Sequence, residues 1–175
     1  MVKGGVRRMK KFPVAINDEE FTKLIKQTKS KKHKLAFLLG YASGLRISEV
    51  LNLNPENIQL REKKILVVQG KGKKDRIVPL PKGFKLSYIN ILPLCLTPRA
   101  LQLAFKRASR KAGLLNTKPD LHFHSLRHGF ATNALNKGIP VHHVRTLLGH
   151  SNISTTNIYL EMNPKEALER YEELF

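Results

Sequence analysis

Apolar residues fall into blocks of two periods along this chain, and Gly, Pro and small polar residues mark the joins. "NDEEFTKLIKQT" (17–28) reads as a short helix. Asn17 suits its cap, and Asp18, Glu19 and Glu20 suit its first turn. "KLAFLLGYASG" (34–44) is apolar on nearly every side, which predicts a mostly buried helix stopped by Gly44. "LRISEVLNL" (45–53) begins another helix at once, with Ser48 and Glu49 near its start. "KKILVVQGKGKKDRIVPL" (63–80) shows two β-rich runs around Gly70–Asp75, so it predicts a hairpin with a lysine-rich turn. Residues 81–96 are apolar but show no usable period.

Three more helices follow from the same signals. "TPRALQLAFKRASRKAG" (97–113) is amphipathic, with Thr97 as cap, Pro98 in the first position and Gly113 after the end. "HSLRHGFATNALNKG" (124–138) ends at Gly138, and "PVHHVRTLLG" (140–149) runs from Pro140 to Gly149. A last helix is expected over "NPKEALERYEELF" (163–175), with Ala167, Leu168, Tyr171, Leu174 and Phe175 on one face. The expected fold class is α+β, mostly helical with one small antiparallel sheet.

Charge changes this picture more than composition does. The 175 residues carry 32 Lys and Arg against 13 Asp and Glu, a formal net charge of +19. An excess of this size favours polyanions, with nucleic acid the first candidate. Residues 161–175 run the other way, setting Lys165 and Arg170 against Glu161, Glu166, Glu169, Glu172 and Glu173. The chain has no long apolar span for a membrane, and one cysteine, Cys95, excludes an internal disulfide and a cysteine-rich zinc site. A soluble protein of the cytoplasm, associated with the nucleoid, is expected.

Four segments collect polar residues at element ends: "GLRISE" (44–49), "GKGKKDR" (70–76), "HSLRH" (124–128) and "LLGHSNISTTNIYL" (147–160). Each alone has an ordinary explanation: a surface arginine, a solvated turn, a structural histidine, a half-buried tyrosine. His122, His124 and His128 lack the His-Glu-x-x-His spacing of a zinc helix, so no metal is expected.

Taken in order, the four resemble the tyrosine recombinases, or phage-type integrases, including the Xer resolvases. The resemblance spans roughly residues 17–160 and is confined to the family's catalytic domain. It implies a fold and a residue set. Arg46 matches the first catalytic arginine, with Glu49 as its structural neighbour. Lys71, between two glycines, matches the hairpin lysine, and Lys73 and Lys74 share its turn. His124 and Arg127 match the His-x-x-Arg box, His150 the second histidine, and Tyr159, nine residues on, the nucleophile. Lys73, Lys74, Arg76 and Arg145 are expected to contact DNA.

These residue types suit the chemistry. A phosphodiester gathers charge on its nonbridging oxygens in the transition state, and two guanidiniums can clamp those oxygens. Tyrosine can store the bond energy as a phosphotyrosine ester. A lysine on a hairpin tip can protonate the leaving 5′ oxygen, and the histidines can donate hydrogen bonds or move protons. The resemblance therefore implies strand cleavage and rejoining on double-stranded DNA, without metal, ATP or other cofactor. Its partners would be a dimer on a site and a tetramer in synapsis. Expected divisions are a basic arm or linker (1–13), a catalytic domain (14–160) and a C-terminal helix (161–175) that docks on a neighbouring protomer or packs in cis.

Two rival readings use the same residues: type IB topoisomerase-like relaxation, and a noncatalytic DNA-binding regulator on the same fold. The sequence departs from the family pattern in three places. Residues 81–96 are short for the family. Residues 1–13 alone stand where an N-terminal clamping domain is usual, as in a fragment or a minimal enzyme. Gly129 occupies a position where a small hydroxyl residue is common.

Overall fold

The computed structural model describes residues 13–68 and 75–149. The expected class holds: the described residues are mostly helical, with a three-stranded antiparallel sheet. The hairpin tip with Lys71, Lys73 and Lys74, the segment with His150 and Tyr159, the arm and the terminal helix lie outside the described residues.

Helix α1 (Asp18–Gln27) starts at a reciprocal cap. Asn17 Oδ1 accepts from the Glu20 amide at 2.8 Å, and Glu20 Oε2 accepts from the Asn17 amide at 2.9 Å. Removing a cap of this kind costs about 1 kcal/mol. Helix α2 (Lys31–Ala42) follows, with Leu35, Ala36, Phe37, Leu39, Gly40 and Tyr41 buried, as its unbroken apolar run predicts. Helix α3 (Ile47–Leu51) is short and begins directly after Arg46.

Strands β1 (Ile58–Gln59), β2 (Lys64–Val67) and β3 (Arg76–Pro79) pair in sequence order, with Ile65 opposite Val78 and Val67 opposite Arg76. Ile65, Val67 and Val78 turn to the core, whereas Ile77 faces out. β1 was not foreseen; two residues are too few to show a period. Residues 81–96 contain a 3₁₀ turn over Leu86–Ile91, and Tyr88, Leu92 and Leu94 from this segment are buried.

Helix α4 (Pro98–Lys111) is capped by Thr97, whose Oγ1 accepts from the Ala100 amide at 3.1 Å. A four-residue helix, α5 (Leu114–Thr117), follows and was also not foreseen. Helices α6 (His124–Asn136) and α7 (Val141–Leu148) complete the described chain. Gly44, Gly113, Gly138 and Gly149, all read as helix stops, take positive φ.

The core sits where α2, α4 and α6 meet. Phe37 packs edge-on to Phe105 with ring centres 5.5 Å apart, and Phe123 lies against both. Burying each such ring contributes about 1.5–3 kcal/mol. A second apolar cluster, Ala131, Ala134, Val144 and Leu148, joins α6 to α7. Gly129 has a packing reason: a Cβ there would lie 2.3 Å from the Ile16 carbonyl oxygen, so the backbone approach excludes any side chain. Among the described residues no helix is long and apolar enough to cross a membrane.

Candidate active site

The site grows from the turn between α2 and α3. Arg46 is the residue before α3, in extended conformation, and Glu49 lies one turn later. That spacing folds the Glu49 carboxylate back. Oε2 accepts from the Arg46 amide at 2.7 Å, and Oε1 accepts from the Arg46 guanidinium at 3.0 Å. Glu49 thus caps α3 and orients Arg46 together.

Arg76 enters the same carboxylate from β3. Its two terminal nitrogens donate to Oε1 and Oε2, each at 2.8 Å, and its Nε donates to the Leu147 carbonyl at 2.8 Å. Burial alone would raise the Glu49 carboxyl. The hydrogen bonds from Arg76 and the Arg46 amide, with both positive charges, outweigh it and hold the carboxyl at about 2.

Arg76, expected at DNA, is instead found buried and bonded within the protein. Its side chain is 6% exposed and its donors are turned inward. The signal was present in the alternation of β3: Ile77 faces out, so Arg76 and Val78 share the inner side. Proximity to the lysine-rich turn masked that pattern.

Arg127, from the first turn of α6, is 1% exposed, and it is among the largest fully buried side chains. It donates to the Gly44 carbonyl at 2.7 Å and to the Leu148 carbonyl at 2.6 Å. Arg46 reaches the next carbonyl, Gly149, at 3.5 Å. Three consecutive carbonyls at the end of α7 therefore face Arg76, Arg127 and Arg46 in turn. These groups carry the negative end of the helix dipole and have no partner within their own helix, so guanidiniums suit them on both counts.

His124 opens α6 beside these arginines. Burial first, and then the charges of Arg127, His122 and Arg46, push its imidazole down to about 4, so it is neutral at pH 7. The His128 ring stands edge-on to it, with ring centres 4.9 Å apart. Among the described residues no group of His, Cys, Asp and Glu could hold a metal ion.

The structure thus brings Arg46, Glu49, His124 and Arg127 together. Arg145, expected at DNA, lies half-buried in the last turn of α7. Lys71, Lys73, Lys74, His150 and Tyr159 are outside the described residues, but the chain leading to them is not. Strands β2 and β3, between which the three lysines fall in sequence, end their described pairing at Val67 and Arg76, and Arg76 is part of the site. His150 follows Gly149 directly.

One surface escaped the sequence reading. On α4, Arg99, Lys106 and Arg110 share an exposed stripe, flanked by Arg107, and the helix contains no acidic residue. Gln102 borders the stripe and accepts from the Phe123 amide at 3.0 Å, which sets the stripe next to His124. The missing acids were the available signal.

Comparison with known proteins agrees with this geometry. The Phage integrase family matches residues 15–92 and 94–166. The chain belongs to the phage integrase family. Tyrosine recombinase XerA of Pyrococcus horikoshii is 32% identical to this integrase-family chain over 93% of the chain and 62% of the relative. The crystal structure of XerA recombinase superposes with a TM-score of 0.75 at 27% identity, covering 97% of this chain and 66% of that one. A XerH site-specific recombinase bound to a palindromic difH substrate, in a post-cleavage complex, gives a TM-score of 0.74 at 27% identity. That match covers 93% of this chain and 53% of the XerH chain. The fold is therefore that of a tyrosine recombinase catalytic domain. The chain spans about three-fifths of the length of the curated relatives it matches.

Proposed function

We propose that this chain is the catalytic domain of a site-specific DNA recombinase that cleaves and rejoins strands through Tyr159. The observation that carries this reading is the convergence of Arg46 and Arg127 on the end of α7, immediately before His150, with His124 within electrostatic reach of both guanidiniums. Arg46 and Arg127 would clamp the nonbridging oxygens of one phosphate, replacing carbonyl partners with anionic ones. Arg46, with a side chain 35% exposed, meets the phosphate first. An arriving phosphate also raises the affinity of His124 for a proton, which favours donation to the phosphoryl oxygen.

The Tyr159 oxygen then bonds to phosphorus as the bond to the 5′ oxygen breaks. The phenolic proton passes to solvent or a histidine, and Lys71 supplies one to the leaving oxygen. The freed 5′-hydroxyl attacks the phosphotyrosine of a partner duplex to complete exchange. Partners on this reading are double-stranded DNA and further copies of the protein, two on a site and four in synapsis, in the cytoplasm on the nucleoid. The basic stripe of α4, next to His124, supports a duplex lying across this face.

The test is covalent trapping on nicked suicide DNA. A denaturant-resistant adduct is expected with the wild type and none with Tyr159→Phe. DNA binding with no adduct on any candidate site would favour the noncatalytic regulator. Relaxation of supercoiled DNA by the monomer would favour the topoisomerase.

A further inference from the structure

Packing does not explain why β3 buries an arginine. Ile65, Val67 and Val78 share its face, and an apolar residue of similar volume would fill the place without the desolvation cost of a buried ion pair. What the guanidinium does provide is three fixed bonds to two other elements. Both Glu49 oxygens are taken by its terminal nitrogens, so the carboxylate cannot rotate. Those same oxygens hold the Arg46 amide and guanidinium. The third bond, from Nε, ends on Leu147 in α7. Gly149 rests on the same side chain: a Cβ there would lie 2.8 Å from Arg76 Cδ.

Charge adds a second argument. Arg46 and Glu49 alone would neutralise each other and leave little attraction for a phosphate. With Arg76 the three groups carry a net positive charge, and Arg46 keeps its charge for a ligand. A lysine cannot replace this geometry, because one ammonium has no planar fork.

We propose that Arg76 is a positioning residue of strand cleavage. It locks Glu49, and through it Arg46, in register with the end of α7, and does not itself touch DNA. The inference rests on the strand-cleavage reading above.

Arg76→Lys tests it, because the charge is kept and the fork is lost. Single-turnover cleavage of suicide DNA should fall about a hundredfold, while DNA affinity stays within about twofold of wild type. Affinity that falls in step with cleavage would mean that Arg76 is a DNA contact after all, and unchanged cleavage would overturn the proposal outright. A wild-type experiment covers a variant that does not fold. The Arg76 Nε–H resonance should be unmoved when specific DNA is added, whereas that of Arg46 shifts; a matching shift at Arg76 sinks the idea. If the wild type forms no adduct, the cleavage reading fails, yet positioning is still decided in the DNA-free protein. There the Arg46 Nε–H resonance should move in Arg76→Lys as the guanidinium loses its fixed setting, and an unchanged resonance refutes the proposal.

Discussion

Two polar networks in this molecule each tie three elements together, and they do so on opposite terms. On one side Tyr41 of α2 donates to Asp18 Oδ1 of α1, and the Asn133 amide of α6 donates to both. Burial first, and then the Asp18 carboxylate, push the Tyr41 hydroxyl upward, so it serves as a neutral donor. On the other side Arg46, Glu49 and Arg76 join the α2–α3 turn, β3 and α7. The carboxylate of the Tyr41 network is matched at the surface by Lys137, whereas among the described residues the Glu49 network has one more cation than anion and leaves Arg46 partly open. Connectivity alone does not separate a structural network from a functional one. The surplus of charge and the exposed donor do.

Substitutions can sharpen that contrast. The largest effect is expected at Arg46. Arg46→Ala should lower the rate of adduct formation by about 10²–10³-fold, the usual cost of losing one preorganised donor. Its thermal unfolding should move little, since a half-exposed ion pair contributes at most about 1 kcal/mol. Loss of folding in step with loss of cleavage would erase the distinction between the networks.

Glu49→Gln comes next. The folded-state carboxyl lies at about 2 against an ordinary 4.5. Its contribution is therefore complete above pH 4.5 and is lost as pH falls from there through 2. The full difference amounts to about 3 kcal/mol at pH 7. Denaturant titrations of wild type and variant should converge as pH drops from 4.5 towards 2; a gap independent of pH would mean that charge is not what Glu49 supplies.

The smallest effect belongs to the Tyr41 network. Tyr41→Phe should cost about 1 kcal/mol and leave cleavage unchanged. A cleavage defect in this variant, at temperatures where it is folded, would show that the two networks are coupled.

Much of the fold could be read from local chemistry, because helix ends advertise themselves. Asn17, Thr97, Gly44, Gly138 and Gly149 stand where their caps and stops require them. β1 and α5 were illegible for the opposite reason: two and four residues hold too little pattern. The candidate site divides the same way. Arg46 and Glu49 are three residues apart, so their pairing is visible in sequence. The bonds from Arg127 to Gly44 and Leu148 span 83 and 21 residues, and nothing local announces them. Arg76 lies between these cases: its inward direction was encoded in the strand, and its neighbouring lysines suggested otherwise.

The last carbonyls of α7 accept from residues of the α2–α3 turn, β3 and α6. Synthesis delivers these parts in order, and α7 arrives last. A chain still leaving the ribosome carries Arg46, Arg76 and Arg127 but has no α7 end against which to set them. On the proposed function, the three arginines of a copy short of α7 are not yet set against a common frame, and Tyr159, still later in the chain, completes the centre last.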